Sequence, residues 1–330
     1  MIARLHVLLP VWLTVRQGEE FTVYQYEDNG YKVRVFPPAR SDQPDPPDRI
    51  HEVSLDGTPA LRVDALRIDF QKENFDRARE PRFDPPQEIV ARAINSFLIR
   101  LRYVARAAGI RSIDYPSVTW NVRYLNDDES ELEDAEGLVR TRGGLSFSFS
   151  FVALSKAVWH DINQLPINFE PPPWEELLLD AQADLPRIGP AIVLAATALE
   201  VFIAHILDRL AEKGAVPANL WEWINNRGDY LREPRVEEQF DVLLRFFTGR
   251  SLKTDSAFWE SFRNLRNARN SFVHEGRAEI GGSPVTPDIA RKLVADASAI
   301  VAAVREWLPP DLHWPVFKHE VKIEAKWKLN

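Results

Sequence analysis

The pattern of apolar and polar positions changes about halfway along the chain. From Met1 to about Phe151, apolar residues alternate with polar ones or run in short blocks, which predicts β-strands. The predicted strands are Met1–Val15, Phe21–Tyr26, Tyr31–Phe36, Leu61–Phe70, Val118–Tyr124 and Leu145–Phe151. One segment between them, Gln87–Ala108, keeps the spacing of an amphipathic helix. The first part of the chain is therefore predicted to be an α+β domain.

The second part of the chain has helical periodicity. It follows Leu165–Pro173, which ends in three consecutive prolines and so disfavours helix. The predicted helices are Trp174–Ala183, Ile188–Lys213, Pro217–Arg227, Arg235–Phe247, Ser256–Val273 and Pro287–Leu308. We therefore expect an α+β domain over residues 1–164, a linker over 165–173, an all-α bundle over 174–312 and a strand-like tail over 313–330. The tail either returns to the first domain or pairs with a partner chain.

The composition limits the number of domains, the kinds of site and the cellular compartment that are expected. A chain of 330 residues that is 45% hydrophobic has room for two cores. It has no cysteine, which excludes disulfides and thiolate metal sites and favours a cytoplasmic location. The apolar start carries Arg4 and His6, and apolar runs stay short of about 18 residues, so no signal peptide or membrane span is expected. The net charge of -8 gives no overall positive field, so any contact with nucleic acid must use a local basic patch.

The predicted helix Ser256–Val273 carries the most informative polar residues. Thr254 or Asp255 is a suitable N-cap, and Gly276 is a suitable end signal. At about 100° per residue, Arg269 falls within an apolar stripe. That stripe comprises Phe258, Phe262, Leu265 and Phe272. A neighbouring polar strip comprises Arg263, Asn267, Asn270 and His274, with Arg266 at its edge. Arg269 and His274 are therefore expected on different faces of one helix.

Structural roles are open for both side chains. A half-buried arginine commonly pairs with a buried acid, and Glu200, on the otherwise apolar helix Ile188–Lys213, is the predicted partner of Arg269. A histidine at a helix end commonly binds free carbonyl groups, which is the corresponding role for His274. These roles do not require catalysis.

Arg269, Asn270 and His274 resemble the signature of the HEPN superfamily, in which an Arg, usually followed by Asn, precedes a His by four to six intervening residues. The resemblance covers roughly Trp174–Leu308. It implies a HEPN-like helical bundle that acts as a metal-independent, cofactor-free endoribonuclease in phage defence or a toxin-like stress response. It also implies a homodimer whose motif helices face each other. RNA would then be bound in a shared cleft by Arg263, Arg266 and Arg277 of both copies.

The resemblance also implies roles for the three motif residues. His274 would act as general base or acid when an RNA 2′-hydroxyl attacks the adjacent phosphate. Arg269 would hold the phosphate, and Asn270 would orient it or brace the motif. The first domain would bind a trigger or regulator, or position RNA. The alternative is a non-catalytic HEPN scaffold for dimerisation and for RNA or protein binding, with a structural Arg269. A metabolic enzyme is disfavoured because the first domain has no Gly-rich phosphate loop, nucleophile elbow or metal cluster.

Overall fold

The chain folds into two compact units. The computed structural model describes residues 1–41, 50–72, 75–76, 78–80, 82–115, 118–130, 132, 138–140, 148–225, 234–319 and 321–327. One unit is Met1–Glu170 with Val316–Asn330, and the other is Pro171–Pro315. The first unit is α+β and the second is helical, which confirms the predicted order of fold classes.

The predicted linker over 165–173 is divided between the two units rather than forming a separate connector. Leu165 is buried. The Ser96 hydroxyl donates a hydrogen bond to the carbonyl of Ile167 at 2.6 Å, and the rings of Phe169 and Tyr103 lie 5.0 Å apart. These contacts hold residues 165–170 against the first unit, whereas Pro173 already begins the first helix of the second unit.

The first unit is built on a sheet. Its strands are β1 (Ile2–Arg16), β2 (Tyr24–Asp28), β3 (Tyr31–Val35), β4 (Ile50–Leu55), β5 (Thr58–Lys72), β6 (Thr119–Leu125), β7 (Leu138–Arg140) and β8 (Ser148–Ala153), joined by β9 (Ile323–Trp327) from the tail. Among the described residues these nine strands form one sheet, with the order β9-β4-β5-β1-β6-β7. β3 pairs with β5, and β2 pairs with β3. The pairing is antiparallel except between β1 and β8.

The two faces of this sheet differ in polarity. Along β1, Ala3, Leu5, Val7 and Leu9 are all fully buried, whereas Arg4 and His6 between them are only partly buried. Two helices, α1 (Gln87–Val104) and α2 (Lys156–Gln164), pack against each other, and Trp159 of α2 contacts Phe97 of α1. The period-two alternation therefore turns the arginine of β1 to the face opposite the core.

The tail belongs to the first unit from Val316 onward, whereas residues 313–315, which the sequence predicts as part of it, belong to the second unit. β9 pairs antiparallel with β4, and the backbone N–H of Lys322 donates to the carboxylate of Asp56 at 2.9 Å. His319 Nε2 lies 2.9 Å from Asp161 Oδ2. The tail thus takes the first of its two predicted routes.

Three elements of the first unit were not expected from the sequence. These are β4, β7 and α2. The spacing of their apolar residues does not distinguish them from the neighbouring segments. The predicted strand Leu145–Phe151 corresponds to β8, with residues 145–147 outside the described residues. The predicted helix over 87–108 ends earlier, at Val104.

The second unit is a set of helices around a long central one. They are α3 (Pro173–Ala183), α4 (Ile188–Leu210), α5 (Ala218–Asn225), α6 (Val236–Glu238), α7 (Leu244–Thr248), α8 (Ser256–Glu275) and α9 (Pro287–Arg305). A π-helical turn, Gln239–Leu243, joins α6 to α7. A two-stranded hairpin, Glu279–Ile280 with Ser283–Pro284, lies between α8 and α9. The predicted helix over 217–227 appears as α5, and its last two residues lie outside the described residues.

Helix α4 forms the centre of the second core. Its buried residues include Ile192, Leu199, Phe202 and Ile206, and it contacts α3, α8 and α9. Within the described residues, the stretch Ile188–Gly214 is the one helix long and apolar enough to cross a membrane by length and composition alone. Glu200 and His205 interrupt the apolar residues of this helix, so the sequence has no unbroken apolar run of that length here.

Candidate functional site

The motif residues lie in the last two turns of α8. The carboxylate of Asp255 caps the helix start by accepting hydrogen bonds from the N–H groups of Ala257 and Phe258, each at 3.1 Å. The helix ends at Gly276, whose positive φ of 74° suits glycine and whose N–H bonds to the carbonyl of Phe272. Asp255 is therefore the cap, and His274 is part of the final turn, one residue beyond the predicted end at Val273.

One face of α8 is buried in the core of the second unit. Its buried residues are Ser261, Phe262, Leu265 and Ala268. The ring of Phe262 lies 5.1 Å from that of Phe240. Arg269 is at the border of this face and is partly buried. Its position follows from the apolar spacing in the sequence, since it lies four residues after Leu265.

The C-terminal end of α8, which carries the motif, packs closely against the start of α4. A Cβ built on Gly189 would lie 2.1 Å from Cε2 of Phe272, so the aromatic ring occupies the space that any larger residue would need. Glycine at position 189 therefore permits a close approach of the two helices. Arg269 is one turn before Phe272 and is positioned by this contact.

Arg269 contacts its neighbour in the motif rather than an acid. Its Nη1 donates to Asn270 Oδ1 at 3.1 Å. Its Nε is buried and has no hydrogen-bond partner among the described residues. The arginine and the amide of Asn270 are thus held together in one polar group at the edge of the core.

The predicted Arg269–Glu200 bridge is absent from the ion pairs of the described residues, and this prediction is corrected. The Phe272–Gly189 contact explains the absence. Glu200 is eleven positions beyond Gly189 on α4, which is about 16 Å along the axis, whereas Arg269 is only about 5 Å from Phe272 along α8. The sequence does not reveal this offset between α4 and α8, so it could not identify which residues lie near Arg269.

Arg266 takes the acidic partners instead. Its guanidinium forms an ion pair with Glu237 of α6. Burial lowers the pKa of Arg266, the charge of Glu200 opposes that effect, and Arg269 and Arg235 add to it. Arg266 is 24% exposed and already paired. This ion pair anchors α8 to α6, which favours a structural role for Arg266 over its expected role in binding RNA.

Three other predicted site residues are open to solvent. Arg263, His274 and Arg277 are exposed, and Asn270 is partly buried. The Ser271 hydroxyl donates to the carbonyl of Arg277 at 2.7 Å and fixes the turn after the helix. Within the described part of the chain, the His274 ring has no hydrogen-bond partner, so the role of binding free carbonyls is not observed.

The helix geometry separates the two principal side chains. Because α8 is continuous from Ser256 to Glu275, the step of five residues from Arg269 to His274 turns their directions about 140° apart. Asn270 and His274 are one turn apart and share a face. The side chains of Arg269 and His274 therefore leave α8 in different directions, as the sequence predicts, although the Arg269 guanidinium reaches the Asn270 amide.

Sequence reasoning missed two residues that shape this region, Glu237 and Gly189. Glu237 comes from a separate helix, and no spacing rule connects it to α8. Gly189 stands in the first turn of an apolar helix, and glycine permits another segment to approach the backbone closely. A glycine among large apolar residues is the signal that could have indicated this contact.

Comparison with known proteins gives no assignment: no family model matches the chain, and no curated protein or solved structure matches it significantly.

Proposed function

We propose that the second unit is a HEPN-like bundle that acts as a metal-independent endoribonuclease through Arg269, Asn270 and His274. The supporting observation is the state of Arg269. It is partly buried, it contacts Asn270 Oδ1 at 3.1 Å, and it forms no ion pair with a carboxylate among the described residues. A partly buried guanidinium without an acid partner is an anion-binding group, and the exposed His274 follows Asn270 by one helical turn.

The proposed chemistry is transesterification of RNA. The 2′-oxygen forms a bond to phosphorus while the bond from phosphorus to the 5′-oxygen breaks, which gives a 2′,3′-cyclic phosphate and a free 5′-hydroxyl. A neutral His274 accepts the 2′-hydroxyl proton, and a second acid protonates the leaving 5′-oxygen. Arg269 stabilises the charge that develops on the phosphate oxygens, and Asn270 orients the guanidinium. Imidazole titrates near neutral pH and suits either proton transfer.

The proposed active form is a homodimer whose α8 helices face each other. With Arg269 and His274 directed about 140° apart on one helix, a second copy supplies the histidine that meets a given arginine, and a water molecule serves as the second acid. Exposed Arg263 and Arg277 of both copies then provide the local positive charge that a chain of net charge -8 lacks overall. Arg266 contributes through its pairing with Glu237 rather than by touching RNA.

The cellular setting is also part of this proposal. A ribonuclease of this type would act in the cytoplasm, in phage defence or a toxin-like stress response. The first unit would receive the trigger or regulator. The alternative scaffold role assigns Arg269 to a buried acid, and the described ion pairs do not supply one.

The test is RNA cleavage by the purified chain in EDTA. Arg269→Ala and His274→Ala are each expected to lower the cleavage rate by at least about a hundredfold, because each removes a group that acts in the transition state. His160→Ala, at an exposed histidine of α2, and Arg291→Ala, at an arginine of α9 with 64% of its side chain exposed, are the matched controls. Equal cleavage by all variants would reject the site.

Mixing the two inactive variants tests the dimer. If each site takes Arg269 from one copy and His274 from the other, a mixed dimer of Arg269→Ala and His274→Ala chains has one intact site. Random exchange should restore about a quarter of the wild-type activity, since half of the dimers are mixed and each holds one of two sites. Absence of recovery after confirmed subunit exchange would place both groups in one chain or remove the dimer.

A further inference from the structure

Arginines from three strands converge on one carboxylate on the polar face of the first unit's sheet. Arg4 of β1 and Arg34 of β3 approach Asp69 Oδ2 at 2.8 and 2.9 Å, and Arg67 of β5 lies 3.5 Å from its Oδ1. Asp69 has a side chain that is 1% exposed. A buried acid beneath three guanidinium groups fixes where their side chains point.

The strand register extends this group across the sheet. Arg34 pairs with Asp69, Asp69 pairs with Arg4, and Arg4 pairs with Arg123 of β6. Four adjacent strands spaced by about 4.8 Å span about 14 Å from the first to the last. In the next row, Arg67 pairs with His6 and His6 pairs with Asn121. We call Arg4, Arg34, Arg67 and Arg123 the arginine cluster.

The arginine cluster carries excess positive charge. Three of its guanidinium groups, those of Arg4, Arg34 and Arg67, share two carboxylates, Asp69 and Glu129, and Glu129 accepts from Arg4 and from Arg34 at 2.9 Å each. The side chains of Arg34 and Arg67 are 27% and 29% exposed, and Arg123 is exposed. Each of the three guanidinium groups has five N–H donors in a fixed fork, more than these two carboxylates engage. The cluster is therefore reachable and able to accept more negative charge.

The electrostatics at His6 show the same excess. Burial lowers the pKa of His6, and the charges of Arg123, Arg67 and Arg4 lower it further, against the opposing effect of Asp69. The imidazole thus stands in a field that is positive on balance. An anion placed beside it would reverse part of that effect.

We propose that the arginine cluster binds the phosphodiester backbone of single-stranded RNA. Forked guanidinium donors match phosphate oxygens, and the buried Asp69 holds them in place before the ligand arrives. A basic row about 14 Å long fits a chain of phosphates better than one phosphate group. The Arg67 guanidinium carbon lies 3.5 Å from the centroid of the Phe36 ring, and this stacking further fixes the position of the guanidinium.

This inference is independent of the cleavage proposed for α8. It assigns binding to the first unit, and its test uses the full chain with His274→Ala, so that RNA is not consumed. The probe is a fluorescent single-stranded RNA of about twelve nucleotides, whose dissociation constant is followed against salt concentration. Cleavage that persists in Arg269→Ala and His274→Ala, together with binding that depends on the arginine cluster, would reject only the proposed active site. Loss of cleavage in those variants, together with binding that does not depend on the cluster, would reject only the arginine cluster.

Two substitutions should change the affinity in opposite directions. Arg34→Gln leaves Asp69 with Arg4 and Arg67, and it should weaken binding and lower the slope of log K against log salt by about 0.7. Glu129→Gln removes a carboxylate that is 43% exposed and should tighten binding. A folding defect cannot produce tighter binding. Arg92→Gln is the control, because Arg92 belongs to α1 and pairs with Asp28.

The result that would overturn the proposal is an affinity that is unchanged by Arg34→Gln and by Glu129→Gln. Inorganic phosphate and a mononucleotide serve as competitors to identify the ligand source. If either displaces the RNA at the same concentration of phosphate groups, the cluster takes a single phosphate and the assignment to an RNA strand is rejected.

Discussion

The contact between Gly189 and Phe272 gives a sharp test of how the motif is positioned. Gly189→Ala places a Cβ 2.1 Å from Cε2 of Phe272, whereas ordinary contact begins at 3.4 Å, so the ring must retreat by about 1.3 Å. Alanine in a helix is otherwise favourable by up to about 1 kcal/mol over glycine. Overpacking of this kind costs about 1–3 kcal/mol. With the full helix-propensity gain of alanine subtracted from this cost, we expect a net loss of about 0–2 kcal/mol in the stability of the second unit.

The assay is a double-mutant cycle in urea. Midpoints are measured for the wild type, Gly189→Ala, Phe272→Leu and the double variant. Leucine shortens the side chain at position 272 and relieves the overlap, so Gly189→Ala should cost less in the Phe272→Leu background. Cleavage should fall in Gly189→Ala, because Arg269 is one turn from the displaced ring. A Gly189→Ala protein that is more stable than wild type would refute the close helix contact.

Three further predictions follow from particular contacts. Arg266→Gln should lower the free energy of unfolding in urea by about 1 kcal/mol and leave RNA affinity nearly unchanged, because Arg266 pairs with Glu237. Arg263→Gln should instead weaken RNA binding and leave the urea midpoint of unfolding unchanged. The opposite pattern would contradict these roles. Burial and nearby arginines lower the pKa of His6 in the folded protein, so unfolding takes up a proton and stability should fall as the pH drops through about 6.5. The slope of the unfolding free energy against pH should be smaller in His6→Asn. Equal slopes in the two proteins would contradict this prediction. Deleting residues 316–330 removes the strand paired with β4 and should expose the first unit to limited proteolysis, and unchanged protection would contradict that pairing.

The order of the two fold classes could be predicted from the sequence because it depends on local periodicity. Alternation over Tyr31–Phe36 and helical spacing over Ser256–Val273 each belong to a single element, and both appear in the structure. The same spacing predicted that Arg269 and His274 point in different directions. These features need no knowledge of distant contacts.

The partners of the motif residues could not be predicted in this way. The sequence predicts Glu200 as the acid for Arg269 because both lie among apolar residues, yet the offset between α4 and α8 is set by the contact of Phe272 with Gly189. Likewise, the arginine cluster exists only through strand register, since Arg4, Arg34, Arg67 and Asp69 come from three strands that are far apart in the chain. The surroundings of Arg269 and the arginine cluster both depend on tertiary packing, which cannot be predicted from the spacing of residues within one segment.

The most direct test of the central claim is the chemistry of the RNA ends produced in EDTA. The account predicts that the wild-type chain yields 2′,3′-cyclic phosphates and free 5′-hydroxyl groups, and that Arg269→Ala and His274→Ala chains of unchanged thermal stability yield neither. Cleavage that requires added metal ions, that leaves 5′-phosphates, or that persists in both variants would contradict it.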